Sequence, residues 1–235
     1  ASLETGVKFM DVCDAYEIFA RRVVLSSVDQ SWFVRNIYGR RRGASTFLKR
    51  SMDVVVAVVL LVLTAPLWAL IALAIKCEDG GSVFYRQERV GRLGVPFYIW
   101  KFRTMRADAE RDGVQWAVVG DARATRTGKW LRRTHLDELP QMFNVLRGDI
   151  SLVGPRPERP EFVAQLERDV AHYRVRHFVK PGFTGWAQVK FRYARSITDS
   201  RRKFEYDLYY IKNRNLILDT LILLKTMQLL FRREK

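Results

Sequence analysis

The sequence predicts an α+β protein organised around a membrane-embedded, re-entrant helix-break-helix. A compact, mostly helical domain follows, with a small antiparallel β-hairpin or sheet and interfacial amphipathic helices. Three observations carry this expectation. No charge interrupts the apolar stretch between Asp53 and Lys76, and Pro66 stands near its middle. Basic residues flank it on both sides: Arg35, Arg40, Arg41, Arg42, Lys49 and Arg50 before it, and Lys76, Arg86, Arg89, Arg92, Lys101 and Arg103 after it.

At about 1.5 Å per helical residue, the stretch from Val54 to Ile75 is long enough to cross a hydrocarbon core of about 30 Å. A proline inside a helix removes a backbone donor and clashes with the preceding turn, so it kinks or breaks the helix. Basic residues beside a membrane segment favour the cytoplasmic side. A straight crossing would put one basic cluster on the wrong side. A helix that enters, breaks at Pro66 and returns keeps both clusters on one face, with Thr64 available to satisfy a freed carbonyl. This reading is preferred to a plain span and to a buried core helix, because few soluble helices stay apolar on every face for so long.

The 235 residues suffice for one domain or two small ones. A formal net charge of +16 implies an anionic partner: nucleic acid, anionic headgroups or a phosphorylated substrate. The apolar stretch favours a membrane surface. No zinc-finger spacing or aromatic RNA-binding signature is present, so no nucleic-acid partner is expected. Two cysteines, Cys13 and Cys77, suggest neither a disulfide framework nor a metal cluster, which fits a reducing compartment. Residues 1–10 lack the pattern of a cleavable signal peptide. Three regions are expected: a leader or linker at 1–46, the re-entrant hairpin at 47–77, and a catalytic domain at 78–235 ending in an interfacial helix.

In the leader, Asp14 to Val24 has helical spacing, Ser31 to Val34 forms a short apolar anchor, and Arg40 to Arg42 form a basic run. Lys49 and Arg50 sit where long cations snorkel to lipid headgroups. After Gly80-Gly81, the segments Ser82–Gln87 and Pro96–Phe102 read as strands joined by a turn at Gly91–Gly94. Residues 107–128 read as loop, with turns at Asp112-Gly113 and Gly120-Asp121. Lys129 to Leu146 reads as one helix, as does Phe162 to His177. Lys180 to Val189 reads as a turn and a strand, and Ile197 to Asn213 as a helix. Leu216 to Phe231, apolar on most faces, suits a helix lying along a membrane or packing against the hairpin or a second subunit, which permits a homodimer.

Two motifs have a structural and a functional reading. Asp137-Glu138 follows Thr134 at the spacing of a capping box, and acidic residues in a first turn favour the helix dipole. Taken alone, the pair is read that way. Arg156 lies between two prolines that hold an extended backbone, a mounting suited either to a forked grip on phosphate or to a surface ion pair.

Six blocks, in order, resemble the bacterial sugar transferases, the monotopic phosphoglycosyl transferases that begin glycan assembly on a polyprenyl phosphate. They are Lys49-Arg50 through Pro66, Lys101–Met105, Leu136–Gln141, Gly148–Pro157, Pro181–Val189 and Tyr206–Tyr210. The resemblance covers about residues 47–231. Single motifs are weak; the ordered set is specific, and it displaces the capping reading of Asp137-Glu138. Residues 1–46 resemble the linker of larger, exopolysaccharide-initiating members.

The resemblance implies transfer of phosphosugar from a UDP-sugar to undecaprenyl phosphate with release of UMP, the first membrane step of exopolysaccharide, O-antigen, lipopolysaccharide or capsule synthesis. It implies Asp137 as nucleophile in a ping-pong mechanism through an aspartyl phosphosugar, Glu138 as the adjacent acid serving proton handling or metal, and Mg²⁺ held at this pair. A carboxylate can divide one hard displacement into two easier ones, provided cations offset charge on the phosphoryl oxygens. Arg156 is the first candidate for the phosphate clamp. Arg132, five residues before Asp137, follows, with Lys101 and Arg103. The implied location is the cytoplasmic face of the bacterial inner membrane. One departure is Ala65, where the family often has serine before the hairpin proline. The competing reading is a non-catalytic membrane module that binds anionic lipid.

Overall fold

The computed structural model describes residues 11–33, 36, 43–109, 111, 121–191 and 197–231. Arg35 and the run Arg40 to Arg42 lie outside them, as do Val34 and, wholly or in part, the turns expected at Asp112-Gly113 and Gly120-Asp121. Nine helices and four strands are seen among the described residues: α1 (Val12–Ala20), α2 (Gln30–Phe33), α3 (Gly43–Asp79), β1 (Phe84–Val90), β2 (Pro96–Phe102), α4 (Arg126–Thr134), α5 (Gln141–Arg147), β3 (Ser151–Val153), α6 (Pro160–Asp169), β4 (Gly182–Thr184), α7 (Trp186–Lys190), α8 (Ile197–Asn213) and α9 (Leu216–Phe231). The small antiparallel sheet and the mostly helical remainder agree with the expected class.

Helix α3 differs from expectation. Its 37 residues form one helical run with Pro66 inside it, rather than two helices with a gap. Proline removes only its own N–H, which in an α-helix would meet the Val62 carbonyl; the Thr64 hydroxyl does not answer that carbonyl but donates to that of Leu60 at 2.7 Å and accepts from the Trp68 indole N–H at 3.1 Å. Asp53, Ala57, Ile71 and Ile75 make a buried stripe. Val55, Val59, Val62, Leu63, Leu70 and Leu73 leave the other face apolar and exposed. This is the one helix among the described residues long and apolar enough to cross a membrane.

Both ends of α3 are fastened to the same domain. Near its start, Lys49 Nζ donates to Asp219 at 2.6 Å, to the Val153 carbonyl at 3.2 Å and to the Tyr210 hydroxyl at 3.3 Å. Arg50 donates to the Val145 carbonyl and, at 2.7 Å, to that of Leu146, closing the C-terminal end of α5. One turn on, Asp53 accepts from the Leu152 N–H at 3.1 Å. At the far end, Glu78 accepts from the N–H groups of Arg126 and Thr127 at 2.6 and 3.0 Å and so caps α4, while Asp79 pairs with Arg103.

Strands β1 and β2 pair antiparallel from Phe84–Phe102 to Val90–Pro96. β3 and β4 pair in parallel, Ser151 with Gly182 and Val153 with Thr184. The expected strand through Val189 stops at Thr184. A Cβ at Gly185 would lie 2.1 Å from the Gly154 carbonyl oxygen, so backbone meets backbone there, and the chain turns into α7. Trp186 is then buried with its indole N–H on the Arg21 carbonyl at 2.8 Å. The expected helix from Phe162 to His177 is also divided: α6 ends at Asp169, His172 is left-handed with φ 61°, and Tyr173 to Phe178 is 3₁₀.

The main core gathers Met142, Val145, Ile150, Leu152, Leu208, Tyr210 and Ile222; a second cluster joins Ile71, Ile75, Phe102 and Leu131. Helix α9 gives Ile222 and Asp219 to the interior and keeps Ile217, Leu224, Met227 and Leu230 exposed. Asn144, fully buried on α5, completes the edge of β2: its amide donates to the Tyr98 carbonyl at 2.8 Å and accepts from the Trp100 N–H at 3.0 Å. Asn144→Ala leaves both backbone groups unpaired, so a melt in detergent should show a loss of roughly 2–4 kcal/mol.

Candidate active site

The helix expected over Lys129 to Leu146 is split at the acidic pair. Thr125 caps α4, accepting from the Gly128 N–H at 2.9 Å. Thr134 ends that helix: its hydroxyl donates to the Trp130 and Leu131 carbonyls at 3.0 and 3.1 Å, so it caps nothing downstream. His135 is left-handed at φ 56°, and its N–H returns to α4. Leu136 to Glu138 then form a 3₁₀ turn, and Pro140, which has no N–H to leave unpaired, precedes α5. The capping-box account of Asp137-Glu138 therefore fails on geometry.

The two carboxylates have opposite surroundings. Glu138 receives Lys101 Nζ at 2.7 Å and the Arg156 guanidinium, whose Nη1 lies 3.5 Å from the second oxygen. Burial raises the Glu138 pKa, but Arg156 and Lys101 overcome it and hold the group well below the usual carboxylate range. Glu138 is thus a fixed negative charge and a poor proton carrier near neutral pH. Asp137 is only 7% exposed. Its side chain makes no hydrogen bond among the described residues. Burial pushes its pKa up to about 6; Lys101 pulls against that, and the charge on Glu138 adds to it. Adjacent acids driven apart in this way suit separate chemical tasks.

Arg156 is held from behind. Its carbonyl accepts from Arg176 at 2.8 Å, and Arg176 pairs with Asp207 at 3.1 Å and with the Tyr173 hydroxyl. Glu158 joins Lys203 at 3.4 Å and Arg89 at 3.9 Å, while Arg89 also donates to the Pro157 carbonyl at 3.0 Å. Despite its burial, Lys203, Arg176 and Arg89 bring the Glu158 pKa down to about 2.

Of the residues singled out from the sequence, Asp137, Glu138, Lys101 and Arg156 come together. Arg132, in the last turn of α4, is close enough for its charge to favour ionised Asp137, and its side chain has no ion pair among the described residues. Arg103 instead binds Asp79 at the end of α3. Lys49 and Arg50, expected at lipid headgroups, donate to protein acceptors. Sequence reasoning passed over Arg176 and Asp207. Asp207 stood inside a noted block; Arg176, within a mixed-charge segment, gave no signal.

Among the described residues no group of three or more His, Cys, Asp or Glu converges. Magnesium usually takes one or two carboxylates and fills its shell with water and substrate phosphate oxygens. Asp137, without a hydrogen bond, and its neighbour Glu138 are hard oxygen donors that fit that pattern.

The fold and the site thus define a class: an α+β domain carrying an acidic pair among cations, joined to one long apolar helix. The chain belongs to the bacterial sugar transferase family, whose model matches residues 44–233. It is 50% identical over 182 residues to a UDP-N-acetylgalactosamine-undecaprenyl-phosphate N-acetylgalactosaminephosphotransferase of Aeromonas hydrophila, covering 77% of this chain and 43% of that protein. It is 44% identical over 181 residues to a UDP-glucose:undecaprenyl-phosphate glucose-1-phosphate transferase of Xanthomonas campestris pv. campestris, covering 76% and 37%. A protein of the latter description from Caulobacter vibrioides is 43% identical over 189 residues, covering 79% and 70%. The chain therefore spans about two fifths of the first two relatives.

Lys101 is the largest cationic influence on Asp137. Lys101→Met should move the Asp137 titration upward from about 6, read as the carboxyl infrared band that Asp137→Asn removes.

Proposed function

We propose that the chain transfers phosphosugar from a UDP-sugar to undecaprenyl phosphate and releases UMP. An Asp137 carboxylate oxygen attacks the β-phosphorus. The bond from that phosphorus to the bridging oxygen breaks, and its electrons leave with UMP, giving an aspartyl phosphosugar. A phosphate oxygen of undecaprenyl phosphate then attacks the same phosphorus and expels the carboxylate. The product is an undecaprenyl diphosphosugar. The observation that carries this reading is Asp137 itself: a buried carboxylate whose side chain makes no hydrogen bond among the described residues, beside a glutamate whose charge is pinned by Lys101 and Arg156. The relatives' names support the substrate classes.

Lys101 and Arg156 orient Glu138, whose carboxylate takes the Arg156 fork; the N–H groups Arg156 has to spare and the Arg132 guanidinium are suited to the substrate phosphates. Magnesium, when bound, would be held by Asp137 and Glu138 and would offset charge on the diphosphate. The network behind Arg156 keeps the clamp in place while substrates change.

For the membrane, the two fastened ends of α3 support re-entry. A straight run of 37 residues is about 55 Å long and would deliver its ends to opposite faces of a bilayer. Arg50 and Glu78 both meet acceptors or donors of one domain, which supports reading residues 47–77 as bending about Pro66 and returning to the cytoplasmic face of the inner membrane. Residues 78–235 form the catalytic domain, and the exposed face of α9 rests on the membrane or on a second subunit.

A panel of UDP-sugars with undecaprenyl phosphate and Mg²⁺ should yield UMP for at least one sugar, and Asp137→Asn should lower the rate by roughly 10³-fold or more. Silence on every sugar with folded protein would overturn the transferase reading. Because only ionised Asp137 attacks, single-turnover UMP release should fall as pH drops through about 6. Cysteine labels beside Arg42 and Glu78 should both react from the cytoplasmic side; opposite sides would refute re-entry.

A further inference from the structure

A second group of cations lies away from Asp137. Arg92 is in the β1–β2 turn, Lys180 precedes β4, and Arg214 links α8 to α9. None of the three side chains has an ion pair or hydrogen bond among the described residues. The Arg214 Nε is buried with no acceptor. Lys180 Nζ and the Arg50 guanidinium converge on Gly148: a Cβ there would sit 3.2 Å from Nζ and 3.6 Å from Nη2. Burial first, then Arg50 and Arg92, lower the Lys180 pKa; burial, then Arg92, does the same for Arg214.

The acids nearby are already engaged. Asp53 accepts from Leu152 N–H, Asp149 from Asn144 at 3.0 Å with Arg147 at 3.7 Å, and Asp219 from Lys49 and Tyr210. Lys180 and Arg214 are half-buried and Arg92 is exposed beside them, and the uncompensated charge of the half-buried pair calls for an anion.

The surroundings identify the anion. Beside Arg92, Leu93 is 68% exposed and Val95 63% exposed, and Leu93 takes the left-handed conformation that leucine seldom adopts. Exposed apolar residues of α3 lie on both sides of Arg50, Phe47 and Leu48 before it and Val55 after it, and beyond Arg214 the exposed face of α9 begins at Ile217. Three apolar surfaces thus border the cation group, as at the level where acyl chains meet headgroups. The hairpin register sets Lys101 opposite Tyr85, five residues along β2 from Pro96, about 17 Å of strand, so this group is separate from the Glu138 site.

We propose that Arg92, Lys180 and Arg214 form a binding site for the phosphate of an anionic bilayer lipid that is not a reactant. The inference rests on the membrane part of the reading above and not on transfer, so the two can fail independently.

The test is flotation of the purified protein with phosphatidylcholine vesicles, with and without phosphatidylglycerol. The wild type should gain affinity from phosphatidylglycerol. In R92Q/K180Q that gain should shrink by roughly twenty-five-fold, about fivefold per cation removed, with binding to phosphatidylcholine unchanged. R92K/K180R should keep the gain, and R214Q should reduce it, which guards against a folding defect in the double variant. An undiminished gain in R92Q/K180Q overturns the proposal. So does loss of the wild-type gain to dissolved inorganic phosphate at ionic strength matched with chloride, which would make free phosphate the ligand. So does a variant-sensitive gain from undecaprenyl phosphate but not from phosphatidylglycerol, which would make this a reactant site.

Discussion

Two neighbouring carboxylates in a buried turn repel one another and each loses hydration, so such a turn stays charged only where cations are brought to it. That constraint organises the side of the molecule that holds the acidic pair. Strand β2 presents Lys101 just before it ends at Phe102, the proline-flanked loop presents Arg156, and both meet Glu138. With Glu138 answered, Asp137 retains its unbonded oxygens and a raised pKa. The Arg176–Asp207 pair lies further back, yet it belongs to the same arrangement, because the loop that aims Arg156 is itself held by its carbonyl.

The apolar helix obeys a different constraint. Its charged ends need acceptors, and they find them on one domain: carbonyls at the end of α5, an aspartate of α9, the first N–H groups of α4. Between those ends Val55, Val59, Val62, Leu63, Leu70 and Leu73 are exposed among the described residues. The helix is thus polar where it touches protein at its ends and apolar where it does not, a distribution suited to shallow immersion.

Much of this was legible in the sequence. The hairpin, α8, α9 and the apolar helix follow from periodicity and turn residues, and the ordered motifs single out Asp137, Glu138 and Arg156. What escaped reading depended on long-range partners. Thr134 has the composition of a cap, but its hydroxyl faces backward into α4, because His135 reverses the chain. Lys49 and Arg50 look like interfacial cations, yet their acceptors lie 95 to 170 positions away. Trp186 begins a helix because two glycine backbones touch, which no local propensity encodes. Pro66 predicts a break, but the helix runs on through it, since a proline costs the helix a single N–H.

The grip of α3 on its neighbours has a mechanical side. Glu78 holds the first turn of α4 and Arg50 holds the last turn of α5, and the residues joining those two helices are the ones that carry Asp137 and Glu138. The long helix is therefore a lever with a jaw at each end. A change in its curvature would move those two helix ends relative to one another, and the turn that carries the acidic pair lies between them.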